Sequence, residues 1–258
     1  MAKDDRRKVL DNAIKEIEKQ HGKGSVMILG DEGSGVVESV GSGVTTLVPG
    51  DHVIISWLLN CGTCPPCRDG KPAHCWAPSP FGALLDNTQR FKNAETGEPV
   101  LHYGPATYAP YTVVPESSAI KIRKDMPLDK AALIGCSVTT GFGAVTNAAG
   151  ARPGESVAIV GCGGVGLSAI LIAAAIGATI IAIDIQDDKL ALAKAAGAHY
   201  LVNAKNTSDI ASTIQDLSSG GAHVSVDALG SQVTCYNSVA SLRKRGKHIQ
   251  IGLLAGTE

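Results

Sequence analysis

One glycine-rich turn constrains the fold of this chain more than any other feature of its sequence. In the segment SVAIVGCGGVGLSAI, an apolar strand-like run is followed by Gly161, Gly163 and Gly166 in the pattern G-x-G-x-x-G, and then by a helix-like run. The first glycine permits a tight turn, the second lets the backbone approach a pyrophosphate, and the third allows the helix to pack closely on the strand. The segment predicts a dinucleotide-binding turn in a parallel α/β domain, and the alternative is a structural turn that binds nothing.

The next strand-like run supports the dinucleotide interpretation. The run TIIAIDI includes Asp184 near its end, about twenty residues after the glycine turn, where a carboxylate can accept hydrogen bonds from an adenosine ribose. No arginine closely follows Asp184, so no guanidinium is available there for the 2′-phosphate of NADP. We therefore predict NAD as the cofactor.

The rest of the chain consists of segments that predict different kinds of secondary structure. Residues 7–21 have an amphipathic helical pattern, residues 35–57 contain valine-rich strand segments, and residues 58–108 are rich in loops. Further along, strand-like runs alternate with alanine-rich helical runs, which is typical of a parallel sheet. We therefore predict an α/β fold with an N-terminal helix, a β domain and a domain built on a parallel sheet. The four strand-like runs of the last domain cover residues 156–160, 179–184, 222–229 and 248–253.

A second motif places four cysteines within a short segment. The segment CGTCPPCRDGKPAHC holds them at the spacing C-x2-C-x2-C-x7-C. Two-residue gaps let consecutive thiolates converge on one ion, and four sulfurs close a tetrahedral zinc shell with no open position. The spacing predicts a structural zinc site, and the alternatives are an iron–sulfur cluster or a lobe without metal. The predicted zinc ligands are Cys61, Cys64, Cys67 and Cys75.

Charge and cysteine usage exclude several classes of function. The formal net charge is -1 and the sequence pI is about 6.6, so there is no global basic field to hold a nucleic acid or an anionic membrane. The longest apolar stretch is interrupted by Gly177 and changes from a helical to a strand period, which argues against a membrane span. Seven cysteines behind a charged N-terminal segment that does not resemble a signal peptide favour a reducing, cytoplasmic location. We predict a soluble protein with small-molecule partners.

The cysteine lobe and the glycine turn, joined by GCSVTTGFGA, together resemble the zinc-containing medium-chain alcohol dehydrogenases. The resemblance runs from Glu32 to the C-terminus and includes GVVESVGSGVTTLVPGDHV, which is similar to the strand pair after the Gly-His-Glu motif of that family. It implies a partial GroES-like catalytic domain over residues 32–140 and a Rossmann NAD-binding domain over residues 141–258. It also implies a small alcohol or aldehyde as the substrate, with hydride transfer to or from the nicotinamide.

The same resemblance implies roles for individual residues. Cys136 corresponds to a ligand of the catalytic zinc, and Glu32 stands at the glutamate of the Gly-His-Glu motif. Thr140 and Val165 correspond to residues that line the nicotinamide. Contacts to the pyrophosphate and the adenosine ribose are implied for Gly161, Gly163, Gly164, Gly166, Asp184 and Lys189.

The catalytic zinc site departs from the family pattern at two of its protein ligands. Where the family has Gly-His-Glu, this chain has Gly30, Asp31 and Glu32, so an aspartate stands in place of the ligating histidine. No cysteine precedes Cys61, so the first catalytic cysteine of the family has no counterpart. Because Cys136 alone is not sufficient to hold a catalytic zinc, we expect this second metal site to be empty.

Residues 9–31, VLDNAIKEIEKQHGKGSVMILGD, resemble the N-terminal segment of RecA-type recombinases, whose leading helix packs on a neighbouring subunit. The chain has no G-x-x-x-x-G-K-[ST] loop, so the ATPase core of that family is not expected. Residues 1–30 carry seven basic and five acidic side chains, which is typical of a solvated helix and disfavours a DNA-binding module. Asp31 and Glu32 would then mark a junction between an N-terminal segment, 1–31, and the dehydrogenase-like part.

Two functions are consistent with these patterns. The first is an NAD-linked, zinc-dependent alcohol dehydrogenase that forms an aldehyde or ketone, with activity impaired by the altered zinc site. The second is a chimeric fragment that binds zinc and a dinucleotide without catalysis. After HIQIGLLAGTE the family continues with a last Rossmann strand that pairs in the dimer. We therefore expect a C-terminally truncated domain and an incomplete dimer interface.

Overall fold

The computed structural model of the protein divides the chain into two compact units, Met1–Cys136 and Ser137–Glu258. The helix predicted over residues 7–21 lies outside the described residues, as do Asp31 and Glu32. The residues that the structure describes are 33–58, 60–77, 91–100, 107 and 111–254.

The first unit is built on a small antiparallel sheet. Its strands are β1 (Ser34–Val36), β2 (His52–Ile55) and β5 (Ala119–Ile122), in the order β1-β2-β5. A separate hairpin pairs β3 (Phe91–Lys92) with β4 (Pro99–Val100). Strand residues alternate between the two faces of a sheet, so one face can be apolar and buried. The buried core of this unit consists of Val37, Leu47, Val53, Ile55, Val114 and Ala119.

Short helices connect the strands of the first unit. Helix α1 (Pro65–Arg68) and a 3-10 turn (Pro72–His74) shape the cysteine lobe. A second 3-10 turn (Glu116–Ser118) precedes β5. Helix α2 (Leu128–Ala131) continues as a third 3-10 turn (Ala132–Gly135) up to the end of the unit.

The second unit contains a five-stranded parallel sheet. Its strands are β6 (Ser156–Val160), β7 (Thr179–Asp184), β8 (Tyr200–Asn203), β9 (Ala222–Asp227) and β10 (Leu242–Gln250). The spatial order is β10-β9-β6-β7-β8, so the chain enters the sheet at its middle and winds outward in both directions. Every residue of β6 is buried, as expected for a strand that is covered on both faces. The predicted α/β fold, with a β domain followed by a parallel doubly wound domain, is confirmed.

The helices of the second unit lie on the connections of this sheet. They are α3 (Ser137–Gly143), which continues as a π-helical turn (Ala144–Ala148), α4 (Gly164–Ala175), α5 (Asp187–Ala195), α6 (Ile210–Leu217) and α7 (Gln232–Ala240). Helix α3 packs directly on α4, because a Cβ at Gly141 would lie only 2.7 Å from the backbone nitrogen of Ala169. Within the described residues no single helix is long and apolar enough to cross a membrane. The bent pair Leu128–Gly135 and Ser137–Ala148 meets that test by length and composition alone.

The last strand differs from the sequence prediction. It covers Leu242–Gln250 instead of residues 248–253, so it begins six residues earlier. After Leu242 the strand reads RKRGK. Strand patterns are recognised by apolar alternation, which this charged run lacks. Strand β8 was also not predicted, because at four residues it is too short to show a clear alternation.

Asp51 stabilises the antiparallel sheet of the first unit. Its carboxylate lies 2.7 Å from Lys121 Nζ and accepts a hydrogen bond from the Val48 N–H at 3.0 Å, with 3% of the side chain exposed. The hydrogen bond from Lys121 and then that from Val48 lower the pKa of Asp51. A pKa lowered by folding means that the carboxylate stabilises the fold above its ordinary pKa of about 3.9. This contribution is lost as the pH falls through the lowered value.

Replacing Asp51 by asparagine should therefore lower the thermal stability of the first unit at neutral pH. The difference from the parent should shrink as the pH falls below about 4, because the parent then loses the same charge. Thermal unfolding at matched pH values measures this difference. Asp125→Asn is the control, because Asp125 and Arg123 form an ion pair at 3.3 Å with side chains 71% and 79% exposed, and such pairs contribute little. A deficit that persists in strong acid would contradict the proposed charge effect.

Candidate functional site

The four cysteines of the lobe converge on one point. All four Sγ atoms lie within 4.8 Å of one another. The Cys64–Cys67 separation is 3.4 Å, the Cys61–Cys75 separation is 3.5 Å, and the Cys64–Cys75 separation is 3.7 Å. Cys64 caps the N-terminus of α1, Cys67 lies within α1, and Cys75 ends the following 3-10 turn. Two short helical turns therefore bring the four sulfurs together.

Backbone N–H groups and a hydroxyl of the lobe donate hydrogen bonds to two of these sulfurs. Thr63 donates to Cys61 Sγ through its N–H and its hydroxyl, each at 3.5 Å, and the Cys64 N–H donates to the same sulfur at 3.3 Å. Cys75 Sγ accepts a hydrogen bond from the Cys61 N–H at 3.3 Å. The Thr63 side-chain bond lowers the pKa of the Cys61 thiol to about 5, whereas burial raises the pKa of the Cys67 thiol to about 12. The four sulfurs cannot all be charged without a cation between them, and metal binding requires all of them as thiolates.

The donor set fits zinc. A tetrahedral zinc ion with Zn–S bonds of about 2.3 Å requires sulfur–sulfur separations of about 3.8 Å, close to the separations in the lobe. In the part of the chain that the structure describes, this is the one group of three or more His, Cys, Asp or Glu side chains that could hold a metal ion. Of the residues predicted for a second metal, Cys136 is an exposed residue at the end of the first unit, and Glu32 lies outside the described residues.

The glycine turn lies at the carboxyl end of β6. Gly161 has a φ of +91°, and its N–H donates to the Ile183 carbonyl at 2.8 Å. Gly163 is the N-cap of α4, and the position of a Cβ there is open space. A Cβ at Gly166 would overlap the carbonyl oxygen of Gly161. Glycine is therefore needed at each position for a different reason. The first turns the chain, the second leaves an open surface, and the third lets α4 approach the turn.

Asp184 ends β7 beside this turn. Its Oδ2 accepts the Cys162 N–H at 2.7 Å and its Oδ1 accepts the Gln186 N–H at 3.0 Å, and the residue is 8% exposed. Each carboxylate oxygen can accept further hydrogen bonds, so these two bonds orient the carboxylate without saturating it. Asp184 and the glycine turn therefore form one polar edge, which we call the carboxyl edge of the sheet.

Cys162 contributes to this edge only through its backbone. Its side chain is 1% exposed, and burial, with the neighbouring charge of Asp184, raises the pKa of its thiol to about 12. The thiol therefore stays protonated at neutral pH and behaves as a small apolar side chain.

The remaining predicted cofactor residues lie on helices of the second unit. Gly164 and Val165 form the first turn of α4, Lys189 lies in the first turn of α5, and Thr140 lies in α3. The first backbone N–H groups of a helix have no partner within it, which makes the start of α4 suitable for a pyrophosphate.

Asp227 is a further residue of the carboxyl edge that was not predicted from the sequence. It is fully buried and accepts hydrogen bonds from the N–H groups of Leu229 and Gly230 at 2.9 and 3.0 Å, and from the Thr234 hydroxyl at 2.9 Å. These bonds turn the chain, so β9 ends at Asp227 and not at residue 229. An acidic residue at the end of an apolar run, followed by Gly and Ser, was the available signal.

Comparison with known families defines the class of protein. Residues 7–124 match the alcohol dehydrogenase GroES-like domain, and residues 164–258 match the zinc-binding dehydrogenase domain. The chain therefore contains a segment of the zinc-containing medium-chain alcohol dehydrogenases. The first match includes residues 9–31, whose resemblance to RecA-type recombinases stays a prediction.

Two yeast enzymes are among the particular relatives. The chain is 40% identical over 235 residues to the probable S-(hydroxymethyl)glutathione dehydrogenase 1 of Schizosaccharomyces pombe, which covers 89% of this chain and 62% of that protein. It is 40% identical over 241 residues to S-(hydroxymethyl)glutathione dehydrogenase of Saccharomyces cerevisiae, with 90% and 62% covered. The chain thus spans 62% of the length of these curated relatives.

Solved structures agree with the fold. An alcohol dehydrogenase zinc-binding domain protein from Burkholderia ambifaria matches with a TM-score of 0.77 and 36% identity, over 90% of this chain and 64% of that one. Benzyl alcohol dehydrogenase from Acinetobacter calcoaceticus matches with a TM-score of 0.73 and 33% identity, over the same shares of the two chains.

Proposed function

We propose that this chain binds NAD and one structural zinc ion, and that it serves in the oxidation of an alcohol to an aldehyde or ketone. The observation that carries the proposal is the carboxyl edge of the second unit, where the glycine turn and Asp184 meet. The backbone N–H groups around Gly163 and Gly164 would hold the pyrophosphate, and the Asp184 carboxylate would accept from the adenosine ribose hydroxyls. When bound, NAD supplies the hydride acceptor.

The charge of Asp184 favours NAD over NADP. A 2′-phosphate at this position would meet a carboxylate that is already fixed by two backbone N–H groups. Lys189 in α5 is the residue that we propose as a second contact to the adenosine ribose.

The cysteine lobe has a structural role in this proposal. Its four thiolates would occupy every coordination position of a zinc ion, so neither water nor alcohol could bind there. Neither α1 nor the Pro72–His74 turn contains a buried residue. A lobe without an apolar core of its own depends on a metal for its shape.

The catalytic part of the proposal rests on family correspondence. Cys136 and Glu32 would contribute to a second zinc site, and Thr140 and Val165 would line the nicotinamide. A zinc ion in such a site lowers the pKa of a bound alcohol.

A second candidate function is binding of zinc and dinucleotide without turnover, in a chimera whose junction is at residues 31 and 32. The observation that favours it is Asp31, which stands where the family motif has the ligating histidine.

Among alcohols, we propose a primary alcohol as the substrate class, for which the product is the aldehyde and not a ketone. The names of the relatives point to it, because the hydroxymethyl group of S-(hydroxymethyl)glutathione and the alcohol group of benzyl alcohol are both CH2OH groups.

Zinc content and NADH production separate the two candidates. Two zinc ions per chain with NADH formation from an alcohol would support the dehydrogenase. One zinc ion with NAD binding and no NADH would support the binding protein. In the first case, Asp31→Asn tests the junction interpretation: loss of the second zinc and of turnover would identify Asp31 as a ligand and contradict that interpretation.

The Asp184→Ala variant should bind NAD about 10- to 100-fold more weakly, because a hydrogen bond to a charged group contributes about 1.5–3 kcal/mol. Its preference for NAD over NADP should also narrow. Calorimetric titration of the full chain with each cofactor measures both effects. Asp188→Ala is the control, because Asp188 is exposed in the first turn of α5 and its loss should leave the affinity unchanged. An Asp184→Ala variant with parental NAD affinity would place the ribose elsewhere.

A further inference from the structure

A basic cavity of about 220 Å³ opens at the edge of the parallel sheet where β6, β9 and β10 begin. These strands are parallel, so this amino edge is opposite the carboxyl edge that holds the glycine turn and Asp184. The five residues of β6 alone separate the two edges by about 16 Å. The cavity is therefore distinct from the proposed dinucleotide site. Its charged lining consists of Arg152, Glu155, Arg243, Lys244, Arg245 and Lys247.

The charge of this lining is strongly positive. Five cationic side chains face one carboxylate, in a chain whose formal net charge is -1. The Glu155 carboxylate accepts the Arg152 backbone N–H at 2.9 Å. Among the ion pairs of the described residues, none includes any of the five cations. Unneutralised charge in a concave surface concentrates the positive potential and attracts anions.

Two of the cations are held in place by the chain itself. Lys247 Nζ donates to the Ala149 carbonyl at 2.6 Å. Arg243 Nε donates to the Gly221 carbonyl at 2.8 Å, and its Nη2 donates to another backbone carbonyl at 3.1 Å. Its Nη1 lies 2.7 Å from His223 Nε2. At least two N–H groups of each cation remain for a ligand, so these side chains are preorganised.

Strand β10 is deformed where it lines the cavity. Its pairing register shifts between Leu242 and Lys247, so four of its residues lie opposite a single residue of β9, His223. Within this bulge Arg245 has a φ of +66°, in the left-handed region that non-glycine residues rarely adopt. Residues held in such conformations cluster at functional sites. The bulge brings consecutive basic residues to the cavity instead of alternating them across the sheet.

We propose that this cavity binds a compact anion that carries phosphate groups. Arginine recognises phosphate through paired N–H donors and lysine through its point charge. The cavity is smaller than the roughly 300–1,000 Å³ pockets that hold drug-sized ligands, so it fits a small phosphate or phosphate ester and not a second dinucleotide. Because Lys244 and Arg245 are exposed, binding should weaken as the salt concentration rises.

The test is calorimetric titration of the full chain with inorganic phosphate, inorganic pyrophosphate and glycerol phosphate, each in the presence and absence of saturating NAD. Saturable binding of at least one probe that persists with NAD and weakens with added NaCl is expected. The ranking of the inorganic probes against the ester shows whether the natural ligand is free or esterified phosphate. Binding that NAD abolishes would place the probe at the glycine turn and overturn the proposal. No saturable binding at roughly millimolar probe concentrations would also overturn it.

Two substitutions locate the probe. The double variant Lys244→Glu with Arg245→Gly should bind it at least about tenfold more weakly, because it loses two cations and gains a carboxylate at the cavity. Arg245→Gly alone should retain or raise the thermal stability, since glycine adopts a positive φ without strain, and this verifies the fold. Lys194→Glu is the control, because Lys194 is exposed in α5, away from the cavity lining. Unchanged affinity in the double variant, or an equal loss in the control, would overturn the proposal.

Discussion

Replacing Gly166 by alanine is expected to lower the melting temperature of the second unit by roughly 10 °C and to abolish measurable NAD binding. The added Cβ would overlap the carbonyl oxygen of Gly161, and the nearest atoms are backbone, which cannot turn away as a flexible side chain can. Overpacking typically costs about 1–3 kcal/mol, and we expect the upper end here because the overlap is with backbone. About 2–4 °C per kcal/mol is expected for a chain of this size. Thermal unfolding and calorimetric NAD titration measure the two effects.

Gly163→Ala is the matched comparison within the same turn. A Cβ at Gly163 meets no protein atom within 4 Å, and the residue already has a negative φ of -77°. This variant should therefore unfold at the parental temperature but bind NAD more weakly, because the methyl group occupies the surface that the pyrophosphate approaches. If Gly166→Ala retains both stability and affinity, or if Gly163→Ala binds NAD as well as the parent, the turn does not work as proposed.

Replacing Cys67 by serine is expected to lower the zinc content by one ion per chain, the structural ion of the lobe, and to expose residues 61–75 to proteolysis. Cys67 Sγ lies 3.4 Å from Cys64 Sγ within the four-sulfur cluster, and a serine hydroxyl is a poor substitute for a thiolate on zinc. The lobe has no buried residues in its helical turns, so metal loss should remove its order. Elemental analysis and limited proteolysis measure these outcomes.

Cys235→Ser is the control for this substitution. Cys235 lies in α7 of the second unit, outside the four-sulfur cluster, so its replacement should leave zinc content and cleavage pattern unchanged. Chelation of the parent protein should reproduce the Cys67→Ser cleavage pattern while NAD binding is retained. Parental zinc content in Cys67→Ser would show that the lobe is not a four-cysteine site.

The apolar strands of the parallel sheet could be predicted from the sequence, whereas the charged strand could not. The observed bounds of β6 and β7, Ser156–Val160 and Thr179–Asp184, agree with the predicted runs, because strands covered on both faces read as continuous aliphatic segments. Strand β10 begins at Leu242 in a charged run. Its pairing with β9 includes a bulge, and no local periodicity in the sequence predicts a bulge.

The candidate sites also differ in how far the sequence predicts them. The spacing of the four cysteines predicted that one ion could be shared, because short loops restrict where neighbouring thiolates can lie. The part played by Asp227 was not predictable, since its hydrogen-bond partners are backbone and side-chain groups placed only by the turn after β9.

The sequence alone determined the glycine turn, the acidic residue after the next strand and the four-cysteine lobe, because each depends on residue types at short, fixed separations. The tertiary structure alone decided the strand order and the basic cavity at the amino edge. Arg152 and Lys247 line that cavity from opposite ends of the second unit's sequence. Only the parallel pairing of β9 with both β6 and β10 brings them to one cavity, and local sequence patterns do not predict the proximity of residues so far apart in the chain.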